Sequence, residues 1–351
     1  MLNKEIILTK MFRNFQDIGM IIASRSNEPN YNYHWIRDSA LVMRSIINAY
    51  KLDNDPLLFK YIIQYIENEN KLQNVKTLSG LGEPKYNLNG TSFDDNWGRP
   101  QNDGPALRGI MMIRIYKLLE NYNMIKFQVL SIIKKDLEYT IKNLDNPCFD
   151  LWEEELGYHF YTRLLQLKFL KDYKKIFKTF LNYNLDDVIN NFSEKINHHL
   201  EDDDIISSFN CNGEICKRYD ASVFLAFTHI DFDESIMSIV PIKLCEKNII
   251  NLAYFFKEKY SRKIDAHLIG RYENDKYYNG HIWIICSLGL AQIYLYLKRK
   301  KDAENIISFI KNIDENLDLD EQYNLDTGEQ LSAKNLTWNY SELFNTYLMI
   351  S

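Results

Sequence analysis

Ile282-Trp283-Ile284-Ile285-Cys286-Ser287-Leu288-Gly289-Leu290-Ala291-Gln292-Ile293-Tyr294-Leu295-Tyr296-Leu297 is the longest apolar stretch of the chain, and its uncharged polar breaks are Ser287 and Gln292. At 16 residues it falls short of the roughly 20 that a membrane-spanning helix needs. A helix apolar on all sides is instead predicted to be buried on all sides by protein. Other segments show the ordinary one-sided stripe: Leu41, Val42, Ile46 and Ile47, then Leu107, Ile110, Met111, Ile115 and Leu118 with Arg108, Arg114 and Lys117 between them. These read as amphipathic helices. Asp103 is placed to N-cap the second, with Pro105 in its first turn, and Asp38-Ser39 to open the first in the same way.

Further helices are predicted at 8–22, 55–70, 125–144, 154–181, 185–200, 220–228, 235–258, 300–313 and 336–349, about a dozen in all. Composition agrees. Gly (13) and Pro (7) together make 20 of 351 residues, about half the usual share of roughly 12%. A sandwich, barrel or propeller of strands spends both residues on many short hairpins, so their scarcity points to long elements and few tight turns. The segments left over (25–37, 77–102, 145–153, 261–281 and 314–334) carry aromatic and charged residues together rather than Gly/Ser linker sequence, as functional loops do.

The chain is 46% apolar and 26% charged, which excludes disorder and collagen-like repeats and supplies a large core. Its length allows two domains or one closed architecture. A net charge of −6 offers no basic field for a nucleic acid. The five cysteines, Cys148, Cys211, Cys216, Cys245 and Cys286, are odd in number and scattered, so reduced thiols are expected. The run Met1-Leu2-Asn3-Lys4-Glu5-Ile6 carries charge where a signal peptide needs apolar residues, and the cytoplasm is the default expectation. His198-His199 with Glu201 and Asp202 lacks a further ligand at a metal-site spacing and reads as solvated surface. Gly80-Leu81-Gly82 lacks the third glycine and the preceding strand of a dinucleotide site.

All five tryptophans, Trp35, Trp97, Trp152, Trp283 and Trp338, fall in or beside the loop segments, each close to an Arg, Asp, Glu or Asn. Five with polar escorts predict a polar, aromatic cleft. Sugars need that combination, because a pyranose has an apolar face to stack and a rim of hydroxyls to bind. Two carboxylate clusters add chemistry. In Asp150-Leu151-Trp152-Glu153-Glu154-Glu155, an indole and like charges favour one carboxyl that stays protonated near neutrality, which makes a general acid. The second, Asp320-Glu321-Gln322-Tyr323 followed by Asp326 and Glu329, is expected to supply an ionised carboxylate that activates water. Glycoside hydrolysis needs such a pair.

Read together, these segments resemble the glucoamylases of glycoside hydrolase family 15. The resemblance runs in chain order through Tyr31-Asn32-Tyr33-His34-Trp35-Ile36-Arg37-Asp38, Gly80-Leu81-Gly82-Glu83-Pro84-Lys85-Tyr86-Asn87, Trp97-Gly98-Arg99-Pro100-Gln101-Asn102-Asp103-Gly104-Pro105 and Asp150-Leu151-Trp152-Glu153-Glu154. It continues in Gly270-Arg271-Tyr272-Glu273, Tyr277-Tyr278-Asn279-Gly280 with Trp283, Glu321-Gln322-Tyr323, and Gly328-Glu329-Gln330-Leu331 through Leu336-Thr337-Trp338. It implies an all-α fold, the (α/α)6 barrel or six-hairpin toroid, filled by one catalytic domain over 1–351 without a starch-binding domain. It implies Glu153 as general acid and Glu321 as general base, with Arg37, Asp38 and Arg271 binding the terminal sugar. Tyr31, Trp35, Trp97, Tyr277 and Trp283 resemble the aromatic walls, and Lys85, Glu154 and Arg99 more peripheral polar contacts.

The implied reaction is inversion at the non-reducing end of an α-1,4-linked glucan, more slowly at α-1,6 links, with release of β-D-glucose by a monomer that needs no metal or other cofactor. Ile36 and Asn102 stand where the family usually has Thr and often Arg, and are expected to adjust outer subsites. Between 171 and 260 the match thins to Arg218-Tyr219-Asp220-Ala221-Ser222, from which no binding role is carried. Competing readings are a non-catalytic glucan-sensing module of glycogen metabolism and a hydrolase of trehalose or isomalto-oligosaccharides.

Overall fold

A computed structural model describes residues 3–120 and 122–350. Met1, Leu2, Asn121 and Ser351 lie outside it, and with them the ends of the expected 1–351 unit and the first residues of the leader reading. The chain alternates between outer and inner helices. α1 (Lys4–Phe12) is outer, α2 (Ile36–Asp53) inner, α3 (Pro56–Leu72) outer, α4 (Asp103–Leu118) inner, α5 (Asn123–Lys142) outer and α6 (Phe160–Phe177) inner. α7 (Leu185–Asn197) is outer and α8 (Ser222–His229) inner; the short α9 (Glu234–Met237) precedes the outer α10 (Glu246–Lys259). α11 (Ile284–Tyr296) is inner, α12 (Lys300–Lys311) outer and α13 (Thr337–Ile350) inner.

Packing closes the inner set into a ring: α2 lies on α4, α4 on α6, α6 on α8, α8 on α11, α11 on α13, and α13 back on α2. α1 packs on α13, so the first outer helix partners the last inner one. This is the (α/α)6 barrel.

Burial follows position in the ring. Every residue of α11 from Ile284 to Tyr294 is buried, as a helix apolar all round requires. The outer α7 and α12 bury one stripe each, Ile189, Phe192 and Ile196 in α7 and Ala303, Ile306, Ile307 and Ile310 in α12. Among the described residues no helix is long and apolar enough to cross a membrane.

Several predicted boundaries move. Residues 13–22 are turns and a β-bridge rather than helix. The segment before α6 is a strand, Leu156–His159, paired with Cys148–Phe149 and Ser208–Asn210. The 235–258 helix is broken into α9, a 3-10 turn at Ile242–Cys245 and α10; Pro241, which has no N–H to continue a helical ladder, stands just before that turn. Neither expected cap holds: α2 starts at Ile36 behind Trp35, and α4 at Asp103 behind Asn102, with no side-chain cap bond at either end. Asp38 and Asp103 therefore sit inside first turns, free to make other contacts.

Candidate active site

The connections that lead into the inner helices meet in a cavity of about 500 Å³. The segment before α2 supplies Tyr31, Tyr33 and Trp35, and its first turn Arg37 and Asp38. The loop before α4 supplies Lys85, Phe93, Asp95 and Trp97, the turn before α6 supplies Trp152, Glu153 and Glu154, and the stretch before α11 supplies Arg271, Tyr277 and Trp283. Glu321 and Trp338 come from the approach to α13 and its first turn. All five tryptophans thus line one cavity, as do all the expected site residues except Arg99.

Short strand pairs hold these loops in register. His34–Trp35 pairs with Lys85–Tyr86, and Gln322–Tyr323 lies between Ile282–Trp283 and Gln330–Leu331. Glu321, at the edge of that small sheet, is fixed through its backbone, its N–H on the Ala333 carbonyl and its own carbonyl taking the Ile284 N–H. Glu153 has φ +68°, a left-handed conformation that costs an ordinary residue about 1–2 kcal/mol. The Asp150 carboxylate holds the turn by accepting the N–H groups of Glu154 (2.8 Å) and Glu155 (3.1 Å). Burial works against the charge of Asp150, and Lys217 at 3.1 Å, His159 and the two N–H groups together more than offset it, leaving its pKa lowered.

The two candidate catalytic carboxyls have different surroundings. Glu153 accepts four donors: Trp35 Nε1 (2.7 Å), Arg37 Nη2 (3.1 Å) and Gln101 Nε2 (3.0 Å) on Oε1, and Trp97 Nε1 (2.7 Å) on Oε2. Glu321 is buried, takes a hydrogen bond from the Ser332 hydroxyl, and has its pKa pushed up to about 7 by burial, against the opposing pull of Ser332, Arg271 and Tyr31. Burial thus carries Glu321, in the second carboxylate cluster, toward neutrality. Asp38 is also raised, to about 6, by burial against the pull of Arg37.

Two cations anchor the cavity. Arg37 donates to Gln101 Oε1 (2.8 Å) and Asp103 (3.0 Å), and its buried Nε makes no hydrogen bond, lying 3.8 Å from the Asp38 carboxylate. Arg271 makes a two-pronged contact with Asp275 (2.8 and 2.6 Å), donates to Glu154 (2.7 Å), and lies over Trp283 at 4.9 Å from the ring centre. The Trp283 N–H is likewise buried and makes no hydrogen bond. These two free donors and the Asp38 carboxyl are polar groups available to hydroxyls of a bound sugar.

Other expectations need correction. Arg99 does not line the cavity; its guanidinium binds Glu83 (2.9 Å) and the carbonyls of Asp95 and Phe93 (both 3.0 Å), which holds the loop that carries Trp97. Lys85 is not peripheral: its ammonium sits within 4.6 Å of the ring centres of Tyr33, Trp35 and Phe93 and 3.1 Å from that of Trp97. Burial lowers its pKa to about 8, with Glu153 working the other way. Ile36 packs beneath Gly104 and Asn102 bonds Tyr139 (2.9 Å), so neither reaches the cavity. Asp326 binds Ser261 and Arg262, and Glu329 is exposed. His199 is buried, not solvated, on the Ile206 carbonyl (2.8 Å).

Sequence reasoning missed Asp220, whose two oxygens both take the Trp152 N–H at 3.0 Å and whose neighbour Ala221 bonds the Arg271 carbonyl (2.8 Å). The fragment Arg218–Ser222 was the available signal. Gln101 and Ser332 fell inside the motifs, Asp103 was expected only as a helix cap, and Asp275 lay between two motifs; their contacts with Arg37, Glu321 and Arg271 emerge only from the placed side chains.

The sequence profile described as Glycosyl hydrolases family 15 matches residues 2–302. A probable glucoamylase of Schizosaccharomyces pombe is 29% identical across 97% of this chain and 89% of its own length. Glucoamylase-1 of Schizophyllum commune is 31% identical across 78% of this chain and 51% of its own. Among solved structures, the glucoamylase of Saccharomycopsis fibuligera superposes with a TM-score of 0.88 at 24% identity, covering 99% of this chain and 93% of that one. The family 15 glucoamylase of Hypocrea jecorina gives 0.88 at 26% identity, covering 98% and 70%.

Proposed function

Since the chain belongs to glycosyl hydrolases family 15 and is a glycoside hydrolase acting on glucans, we propose that it is an exo-acting, inverting α-glucosidase. It takes the non-reducing end of an α-1,4-linked glucan, and more slowly an α-1,6-linked one, and releases β-D-glucose. The observation that carries this reading is one cavity lined by Glu153, Glu321, Arg37 and Asp38 together. Glu153 and Glu321 are separated by 168 positions in the sequence.

In this reading the Arg37 Nε and Asp38 bind hydroxyls that only a terminal sugar leaves free, while Trp283 and Tyr277 cover its apolar face. Glu153 protonates the departing glycosidic oxygen. Glu321 takes a proton from the water that attacks C1 on the opposite face, which requires about 6.5–9.5 Å between the carboxyl groups. Hydrolysis needs Glu153 protonated and Glu321 ionised when the bond breaks.

Incubation with maltose, maltotetraose, isomaltose and trehalose, followed by NMR of the first anomer released, tests the reading. β-Glucose from maltotetraose before mutarotation is the expected result; α-glucose rules out inversion, and preferred turnover of trehalose or isomaltose reassigns the substrate. Glu153→Gln is expected to keep saccharide binding and lose about 10²- to 10⁴-fold in kcat. Full activity in that variant removes Glu153 from the acid role.

A further inference from the structure

Four of the five cavity tryptophans give their indole N–H to a carboxylate: Trp35 and Trp97 to Glu153, Trp152 to Asp220 and Trp338 to Glu342. Glu342 lies one turn beyond Trp338 on α13, inside the ring of inner helices, and belongs to none of the sequence motifs that point to the reaction. It is fully buried, and its neighbours are donors. Oε1 accepts from Trp338 Nε1 (3.2 Å) and faces His229 Nε2 (3.1 Å); Oε2 accepts from Gln292 Nε2 (2.8 Å) and has Arg44 Nη1 at 3.6 Å.

Burial alone would raise the Glu342 pKa, and His229, Arg44 and Gln292 outweigh it, holding it down to about 2. Burial lowers His229, so its ring is neutral near pH 7. An ionised carboxylate only accepts, so His229 Nε2 carries the hydrogen and Nδ1 takes the Tyr161 hydroxyl at 2.8 Å. Tyr161, His229, Glu342 and Trp338 thereby form one chain of hydrogen bonds from inner helices α6, α8 and α13, ending on a cavity wall. The residue after Trp338 extends it: Asn339 Nδ2 donates to the carbonyls of Leu319 (3.1 Å) and Asp320 (2.8 Å), the backbone that leads into Glu321.

We propose that Glu342 is a positioning residue for the hydrolysis: by holding the Trp338 indole N–H it fixes the first turn of α13, and with it the wall beside Glu321. The proposal rests on the reaction assigned above. Glutamine at 342 keeps the shape but replaces one acceptor with an NH2 group, and that group must face a donor whichever way the amide is turned.

The test uses ¹⁵N-labelled protein, whose five tryptophans give separate indole N–H resonances. Trp338→Phe identifies one of them by its loss. Glu342→Gln is expected to move that same resonance and leave the other four in place, and to lower kcat/KM on maltotetraose by on the order of 10- to 100-fold, mostly in kcat. Trp338→Phe is expected to lose a similar factor, and the double variant no more than the worse single one, because both remove the same bond. A Trp338 resonance that stays put in Glu342→Gln, or losses that multiply in the double variant, overturns the proposal. Should Glu342→Gln fail to fold, Trp338→Phe decides alone: unchanged kcat/KM overturns it and a loss supports it. A wild-type protein that hydrolyses no α-glucan counts against the reaction, while the resonance shift still reports the anchor.

Discussion

Buried in the cavity wall, with the Ser332 hydroxyl donating to it, Glu321 keeps its proton up to about pH 7, and this has consequences for both rate and stability. A base must be ionised to act, so the acid limb of kcat/KM, which reports the free enzyme, is expected well above the ordinary glutamate range, toward pH 7. A limb at the ordinary value near 4.3 would show that another group governs it. The sign for stability follows from the same shift. The folded state binds the Glu321 proton more tightly than the unfolded chain, so ionising it costs stability as pH rises from the ordinary range toward 7, and the full cost persists above. Glu321→Gln removes that cost and is expected to raise Tm at pH 8 more than at pH 4, read by calorimetry; an equal change at both pH values contradicts it. At this scale much of the site was legible in the sequence, because Arg37, Asp38, Glu153 and Glu321 stand in short ordered motifs. Asp220 and Glu342 were not: Asp220 holds a tryptophan 68 positions away, the other donors to Glu342 come from α2, α8 and α11, and a lone carboxylate in a helical segment gives no sign of what donates to it.

Helices were legible where their apolar stripe is long and unbroken, as in α4 and α11, and misjudged where an apolar run continues into a loop. Residues 13–22 make turns closed by the Phe15–Ile21 bridge, and 156–159 form a strand between two others; period alone does not separate such segments from a helical turn. The ring itself depends on close approach between inner helices. Gly109 of α4 has no side chain where the Phe169 ring of α6 fits: a Cβ there would lie 2.2 to 2.6 Å from three ring carbons. Alanine favours a helix over glycine by about 1 kcal/mol, whereas overpacking a closed core costs about 1–3 kcal/mol. Gly109→Ala is therefore expected to lower Tm despite its better propensity, and Phe169→Leu in that background to recover part of the loss. A gain in Tm from Gly109→Ala alone would mean that α4 and α6 can separate without penalty.

At the scale of the whole molecule, closure ties distant sequence to one cavity. The first and last helices meet where α1 packs on α13, and Asn14 and Thr337 bond across the junction at 2.7 Å. Thr337 also donates to the Ile22 carbonyl (2.6 Å), so the start of the last inner helix is held by the segment that leads to Tyr31 and Trp35. Composition alone could predict many helices but not that they close; closure was implied by the resemblance that the motifs carry, and these cluster before α2, α4, α6, α11 and α13. Closure also sets how the molecule responds to salt. The ion pairs of the cavity, Arg37 with Asp103 and Arg271 with Asp275, are buried, beyond the reach of mobile ions that screen surface charge over about 8–10 Å. The net charge of −6 acts on charged partners, and a glucan has none. Accordingly kcat/KM on maltotetraose is expected to change less than about twofold between roughly 20 and 300 mM NaCl. A fall of tenfold or more over that range would require an anionic substrate or a cavity cation held at the surface, and neither fits a neutral sugar bound among buried charge pairs.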